Sequence, residues 1–138
     1  MSKHFELREL KEFGDGRGRM CVVETNQELP FEIKRFFYDF NTGFGESRGN
    51  HANVNSQFAF VSLAGSCTVD VDDGENQETF LLDIPTKLLW VDKMVWKVMR
   101  NFSPDNVLLV VSDQHYDSGE YIRDYDQFVK MVKGGHEV

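Results

Sequence analysis

Positive charge and long apolar runs are what this chain most lacks. Its 15 lysines and arginines face 23 aspartates and glutamates, a formal net charge of -8. Such a surface repels polyanions, which argues against wrapping nucleic acid or lying on an anionic membrane. No apolar stretch approaches the ~20 residues of a spanning helix. The N-terminus, Met1-Ser2-Lys3-His4-Phe5-Glu6, lacks the apolar core of a signal peptide. A soluble cytoplasmic protein is expected. Cysteine is scarce too: Cys21 and Cys67 lie in apolar strand-like runs, form no C-x-x-C and read as buried reduced thiols. Neither has a histidine nearby in sequence, so a thiol nucleophile has no support. A P-loop and G-x-G-x-x-G are absent.

Histidine is the next scarcity, with four in the chain: His4, His51, His115 and His136. Three have weak contexts, His136 lying in the tail. His51 stands in Arg48-Gly49-Asn50-His51-Ala52-Asn53, where the Gly-rich loop 41–47 runs into strand-like sequence. A histidine titrates near neutrality and can take and return a proton, although a lone histidine is more often structural. A metal-binding barrel often offers H-x-H, a carboxylate and a later histidine. Here the position two beyond His51 is Asn53, a poor ligand, and Val95-Trp96-Lys97 puts a lysine where a later ligand would stand. A metal site needs about three protein ligands; one good one is present, so no metal is expected.

What is present is β-rich. The 138 residues suit one domain, 1–138, able to bury a core without metal or disulfide support. Apolar residues and turn signals predict strands over 5–13, 19–24, 31–40, 57–63, 67–71, 79–82, 88–91, 95–102 and 107–112. Asp72-Asp73-Gly74 predicts a hairpin. Within 31–40, period two puts Ile33, Arg35 and Phe37 on one face and Lys34, Phe36 and Tyr38 on the other. Only 118–133 reads as a helix, with apolar and aromatic residues at spacings of three and four, Ser118 as cap, Glu120 in the first turn and Gly134-Gly135 as stop. Many short strands argue for a β-sandwich or barrel.

Arg17, Arg35, Arg48 and Arg123 are scattered along the chain, and arginine suits phosphate because its planar donors match the oxygens. Phe36, Phe37, Tyr38, Trp90 and Trp96 can stack on a base or sugar, though aromatics at strand spacing are mostly core.

Several stretches together carry a resemblance. They are Asp15-Gly16-Arg17-Gly18, Leu29-Pro30-Phe31-Glu32-Ile33-Lys34-Arg35, Arg48-Gly49-Asn50-His51-Ala52, Leu63-Ala64-Gly65-Ser66, Trp96 and Val110-Val111-Ser112. The most specific is Tyr116-Asp117-Ser118-Gly119-Glu120-Tyr121-Ile122-Arg123-Asp124-Tyr125. Over nearly its whole length the chain resembles the small cupin-fold sugar-nucleotide 3,4-ketoisomerases of deoxysugar biosynthesis (FdtA/QdtA-like, WxcM-like). The resemblance implies an all-β double-stranded β-helix (cupin, jelly-roll) barrel with a short C-terminal helix, usually a homodimer. It implies an isomerase without cofactor or metal that converts a dTDP-4-keto-6-deoxyhexose to its 3-keto isomer through an enediol, in lipopolysaccharide or S-layer glycan synthesis. His51 takes the family's catalytic-histidine position, shuttling a proton from C3 to C4. Arg48 and Tyr38 are candidates to stabilise the enediolate, and Asn53 joins the catalytic set. Arg17, Arg35, Phe37, Trp96, Lys97 and Tyr121 are candidate substrate-binding residues. Three departures stand out: Asn53 replaces a second histidine, Phe37-Tyr38 replaces a tyrosine pair, and Lys97 replaces histidine or arginine. Asn53 can hydrogen-bond but cannot carry a proton. Positions 17 and 97 vary among such proteins and border the sugar, which links them to the C4 configuration. The rival expectations are a 3,5-epimerase, with Tyr38 or Tyr121 as second acid–base partner, and a sugar-nucleotide-binding cupin without catalysis.

Overall fold

A computed structural model describes residues 4–134. Among them run twelve strands and one α-helix: β1 (Phe5–Glu9), β2 (Phe13–Asp15), β3 (Gly18–Met20), β4 (Arg35–Phe40), β5 (Arg48–Asn53), β6 (Phe58–Ala64), β7 (Cys67–Asp72), β8 (Gln77–Leu82), β9 (Lys87–Val91), β10 (Trp96–Arg100), β11 (Val107–Ser112), β12 (Tyr121–Ile122) and α1 (Tyr125–Gly134). A single 3-10 turn, Ser118–Glu120, precedes β12. Two five-stranded sheets, ordered β1-β9-β6-β11-β4 and β12-β5-β10-β7-β8, carry the fold, and β2-β3 is a separate small hairpin. Every pairing is antiparallel. This is the cupin-type β-barrel with one C-terminal helix that the resemblance implied.

Alternation explains the layering. One core lies between the sheets and joins Phe58, Phe60, Leu89, Val91, Leu108 and Val110 of the first to Cys67, Val69, Val71, Leu82 and Met99 of the second. The first sheet's other face carries a second core, in which Leu29 and Phe31 cover Ala59, Val61, Leu88 and Val111. β6 is therefore buried on both faces and reads as a continuous apolar run. The second sheet's outer face holds α1, through Ala52, Ile122 and Phe128 with Trp96 and Val132 against them.

The strand expected over 5–13 ends at Glu9, those over 79–82 and 95–102 shift by one or two residues, and three boundaries move further. The strand expected over 19–24 ends at Met20, and the one expected over 31–40 begins at Arg35. Residues 21–34 are mostly irregular because that segment is spent as a lid on the first sheet. The helix expected from Ser118 starts at Tyr125. Asp117 caps the 3-10 turn instead, its Oδ1 accepting from Gly119 N. Tyr121 and Ile122 then pair with Asn53 and Ala52. Asp124 caps α1, its Oδ1 accepting from Gln127 N at 3.0 Å. Gly135 of the expected stop, and His136, lie outside the described residues.

Candidate active site

The two sheets part enough at one end to leave a cavity of about 160 Å³. β4 contributes Phe37 and Asp39, β5 Arg48, Gly49 and His51, β6 Phe58 and Phe60, β10 Lys97 and Met99, β11 Val110, and β12 Tyr121. A bulge aims the histidine. Between β5 and β10 the register passes from Lys97↔His51 to Val98↔Gly49, so Asn50 is the extra residue. Gly49 and Asn50 both have positive φ, +82° and +58°. A side chain at Gly49 would meet Lys97 O at 2.8 Å and the Met99 sulfur at 3.1 Å, so only glycine fits.

The bulge also fixes the histidine's tautomer. His51 Nδ1 lies 2.8 Å from Gly49 O. A carbonyl only accepts, so Nδ1 carries the hydrogen and Nε2 keeps the lone pair. The Tyr121 ring lies tilted beside the imidazole, centroids 4.6 Å apart and planes at 49°. Burial, then the nearby Lys97 charge, lowers the His51 pKa to about 4. The ring is neutral at pH 7 and is a base.

Lys97 is the least expected feature. It is a lysine only 2% exposed in a barrel wall. Its Nζ donates to Asn53 Oδ1 at 2.9 Å and lies 4.7 Å from the Phe58 ring centroid. Burial brings its pKa down to about 7, against the opposing pull of the Glu120 carboxylate. Glu120 is itself buried, and its Oε1 accepts from Asn55 N and Ser56 N at 2.8 and 2.9 Å while Oε2 accepts from the Ser56 hydroxyl. Asn53, fully buried, supports the ammonium and also favours the protonated form of His51.

The remaining candidates divide by side-chain direction. Arg48 sits at the mouth, Nη2 donating to Asp39 Oδ1 at 3.0 Å. Arg35 is not in the cavity wall, but its guanidinium lies 5.3 and 5.8 Å from the rings of Phe37 and Phe58, which are. Its Nε donates to Gln114 O. Asn53 is not in the wall either and lies behind it, bonded to Lys97. Three further residues are not brought near the cavity. Tyr38 points the other way from Phe37, because strand neighbours alternate, and is 56% exposed. Trp96 likewise opposes Lys97; its ring packs on Tyr125 and Phe128 of α1. Arg17 lies at the tip of the β2-β3 hairpin, paired with Asp15. Asp39, Glu120 and the buried face of Phe58 were missed from sequence; extending the period-two reading of β4 by one step would have found Asp39. Glu120 was read as a first-turn helix charge, and its inward turn had no sequence signal. Gly45-Glu46-Ser47-Arg48-Gly49 spells G-x-S-x-G, but it leads into a strand, and the Ser47 hydroxyl accepts from Asn50 Nδ2; a nucleophile elbow needs a strand before it and a helix after it.

A wider groove of about 760 Å³ lies on the second sheet's outer face, lined by Asp70, Asp72, Glu78, Trp96 and Tyr125. Its carboxylates suit a nucleotide poorly. Cys67 is buried, with its thiol pKa pushed up to about 11, and is inert. Among the described residues no three histidine, cysteine or carboxylate side chains converge as metal ligands. Among them, too, no helix is long and apolar enough to cross a membrane.

Comparisons with known proteins agree on the kind of molecule this resembles. The family model described as FdtA: WxcM-like, C-terminal, matches residues 3–133. The curated TDP-4-oxo-6-deoxy-alpha-D-glucose-3,4-oxoisomerase of Aneurinibacillus thermoaerophilus is 41% identical over 122 residues, covering 88% of each chain. The TDP-fucose-3,4-ketoisomerase WlaRA from Campylobacter jejuni is 40% identical, with a TM-score of 0.88 over 93% of this chain and 95% of that one. A histidine-to-asparagine variant of the 3,4-ketoisomerase QdtA from Thermoanaerobacterium thermosaccharolyticum, solved in complex with TDP-4-keto-6-deoxyglucose, is 27% identical, with a TM-score of 0.92 over 97% of each chain.

Proposed function

The chain belongs to the FdtA family of WxcM-like proteins, and from that membership we propose that it is a sugar-nucleotide 3,4-ketoisomerase acting on a dTDP-4-keto-6-deoxyhexose. The observation that carries the reading is His51, neutral at pH 7, with Nδ1 committed to Gly49 O and Nε2 left as the basic nitrogen of the cavity wall.

The chemistry follows from that nitrogen. Nε2 takes the C3 proton, which is acidified by the C4 carbonyl, and an enediolate forms. The same nitrogen returns a proton to C4 while O3 gives up its proton and O4 gains one, leaving the carbonyl at C3 and a hydroxyl at C4. With its pKa brought down to about 4, the imidazolium is a strong acid and gives the proton back readily. The developing negative charge lies beside Lys97 and within reach of Arg48 at the mouth; fixed donors in a dry cavity are worth more than the same donors in water. Phe37 and Tyr121 wall the sugar, and Arg35, behind Phe37, is directed to the phosphates. Tyr38, Trp96 and Arg17 have no part in this protomer's cavity. No cofactor or metal enters the scheme: the cavity offers His51 and Asp39, the latter paired with Arg48, short of the about three ligands a metal site needs.

The protein works as a homodimer in the cytoplasm, supplying a deoxysugar for a lipopolysaccharide or S-layer glycan. Support for the dimer comes from edge strand β4, whose outer face exposes Phe36, Tyr38 and Phe40 in a row. Support for the compartment comes from two free cysteines. Incubation with dTDP-4-keto-6-deoxyglucose in deuterated water, followed by NMR, tests the reaction. A 3-keto product is expected, carrying deuterium at C4 to the extent that the proton held by His51 exchanges with solvent. Deuterium at C3 and C5 would make the protein an epimerase, and an unchanged substrate a binding module. A chelator is expected to leave turnover intact, and strong inhibition would overturn the metal-free scheme.

A further inference from the structure

The isomerisation moves two hydrogens. C3 loses one and C4 gains one; O3 loses a proton and O4 gains one. His51 accounts for the first pair. Its Nδ1 is held by Gly49 O, so a single free nitrogen remains, and while that nitrogen holds the carbon-derived proton it cannot serve the oxygens. A second proton carrier must face the same two carbons.

The cavity holds few groups able to do this. Arg48 is always protonated in water and in proteins, so it can orient charge but not release a proton. Asp39 is engaged with Arg48. Tyr121 lays its ring against His51. Lys97 is different: it is the direct cross-strand partner of His51, and both side chains line the same wall. Its hydrogen-bond partner is a neutral amide oxygen, Asn53 Oδ1, rather than a carboxylate. The carboxylate that influences it, Glu120, has its oxygens spent on Asn55 and Ser56. An ammonium has three donors, so others remain for substrate.

We propose that Lys97 is the second acid–base residue of the reaction: its ammonium gives a proton to O4 as C3 loses its own, and the resulting amine takes the proton from O3 as C4 is protonated. The balance closes, and both His51 and Lys97 end in their starting states. The inference rests on the isomerase reading above. It assigns Asn53, which replaces a histidine usual in the family, as the positioning residue that holds the lysine in place. The groups facing Lys97 are His51 and Asn53 from β5, Glu120 and Tyr121 from the β12 side, and the Phe58 ring from β6. Burial among them brings the amine's pKa down to about 7, where either form is accessible at cellular pH. A methionine would fill the same space without the cost of burying charge, so packing does not explain a lysine.

The test compares wild-type enzyme with Lys97→Arg, Lys97→Met and Lys97→Ala on dTDP-4-keto-6-deoxyglucose, with thermal melts to confirm folding. Lys97→Arg keeps a positive charge and hydrogen-bond donors but cannot release a proton. All three variants are expected to lose about 100-fold or more in kcat, and methylamine or ethylamine to restore part of the Lys97→Ala activity according to amine basicity. Wild-type kcat is expected to fall above about pH 7, and this limb to be missing from the residual Lys97→Met activity. Near wild-type turnover in Lys97→Arg, or a pH limb unchanged in Lys97→Met, would overturn the assignment while leaving the isomerase standing. A wild-type protein that forms no 3-keto product would remove both.

Discussion

Lys97 and His51 both sit where folding alone would not put them, and stability should register this. A lysine's ordinary pKa is 10.5, and here it is about 7. Between those values the unfolded chain holds a proton that the folded one has released. Stability from this group is therefore present above pH 10.5 and lost as the pH falls to about 7. Lys97→Met removes that loss, so the variant's stability relative to wild type should rise as pH falls from 10.5 to 7, measured by urea melts at several pH values. A flat difference would mean that the lysine is not desolvated. His51 acts in the same direction over a lower window, from its ordinary 6.5 to about 4. His51→Asn should flatten the wild-type stability loss across that window. It should also abolish turnover with the fold intact, whereas Asn53→Ala should cost less; equal losses would make Asn53 as necessary as the base. That position 51 faces a pocket was legible in the sequence. The tautomer was not, because it depends on a carbonyl two residues away brought round by a bulge.

At the scale of elements, the β5 bulge is the part on which the site depends. Gly49→Ala would force a Cβ to 2.8 Å from Lys97 O at a φ of +82°. The expected cost is roughly 1–3 kcal/mol of backbone strain, read as a lower Tm, with a fall in kcat because the acceptor of His51 Nδ1 moves. Unchanged kcat beside a lower Tm would separate the bulge from the chemistry. Glu120 supports the site from the other side, and Glu120→Ala should strand the Asn55 and Ser56 backbone N–H groups and destabilise by about 1–3 kcal/mol or more, measured by chemical denaturation. Sequence periodicity served strands better than it served the last thirty residues. β6, β7, β10 and β11 stand within a few residues of where apolar pattern and turns put them. The helix was started too early because Tyr121, Ile122 and Tyr125 satisfy helical spacing by coincidence; the first two are β12. Tyr38 and Trp96 were misdirected for one reason. Each neighbours a true cavity residue, and on a strand a neighbour faces the other way.

For the whole molecule the exposed face of β4 is the feature to test. Phe36, Tyr38 and Phe40 lie 65%, 56% and 59% exposed on an unpaired edge, a surface that a lone acidic barrel would have reason to charge. Phe36→Lys with Phe40→Lys is expected to convert a dimer into monomers in sedimentation velocity. A monomeric wild type would remove the dimer, and a dimer unaffected by both changes would move the interface elsewhere. Fold class was legible as a β-sandwich or barrel from strand count and turns, and as a cupin barrel only from the resemblance. The cover of the first sheet by residues 21–34 was not, since an irregular apolar segment has no period to read.

Along β10, Trp96 binds the helix while Lys97, next to it, faces the cavity. The two adjacent positions therefore answer to different structural demands. A replacement at 97 alters proton chemistry and leaves the helix seat in place, and a replacement at 96 does the reverse. A lineage can try new chemistry at this wall one residue at a time without first surrendering its scaffold.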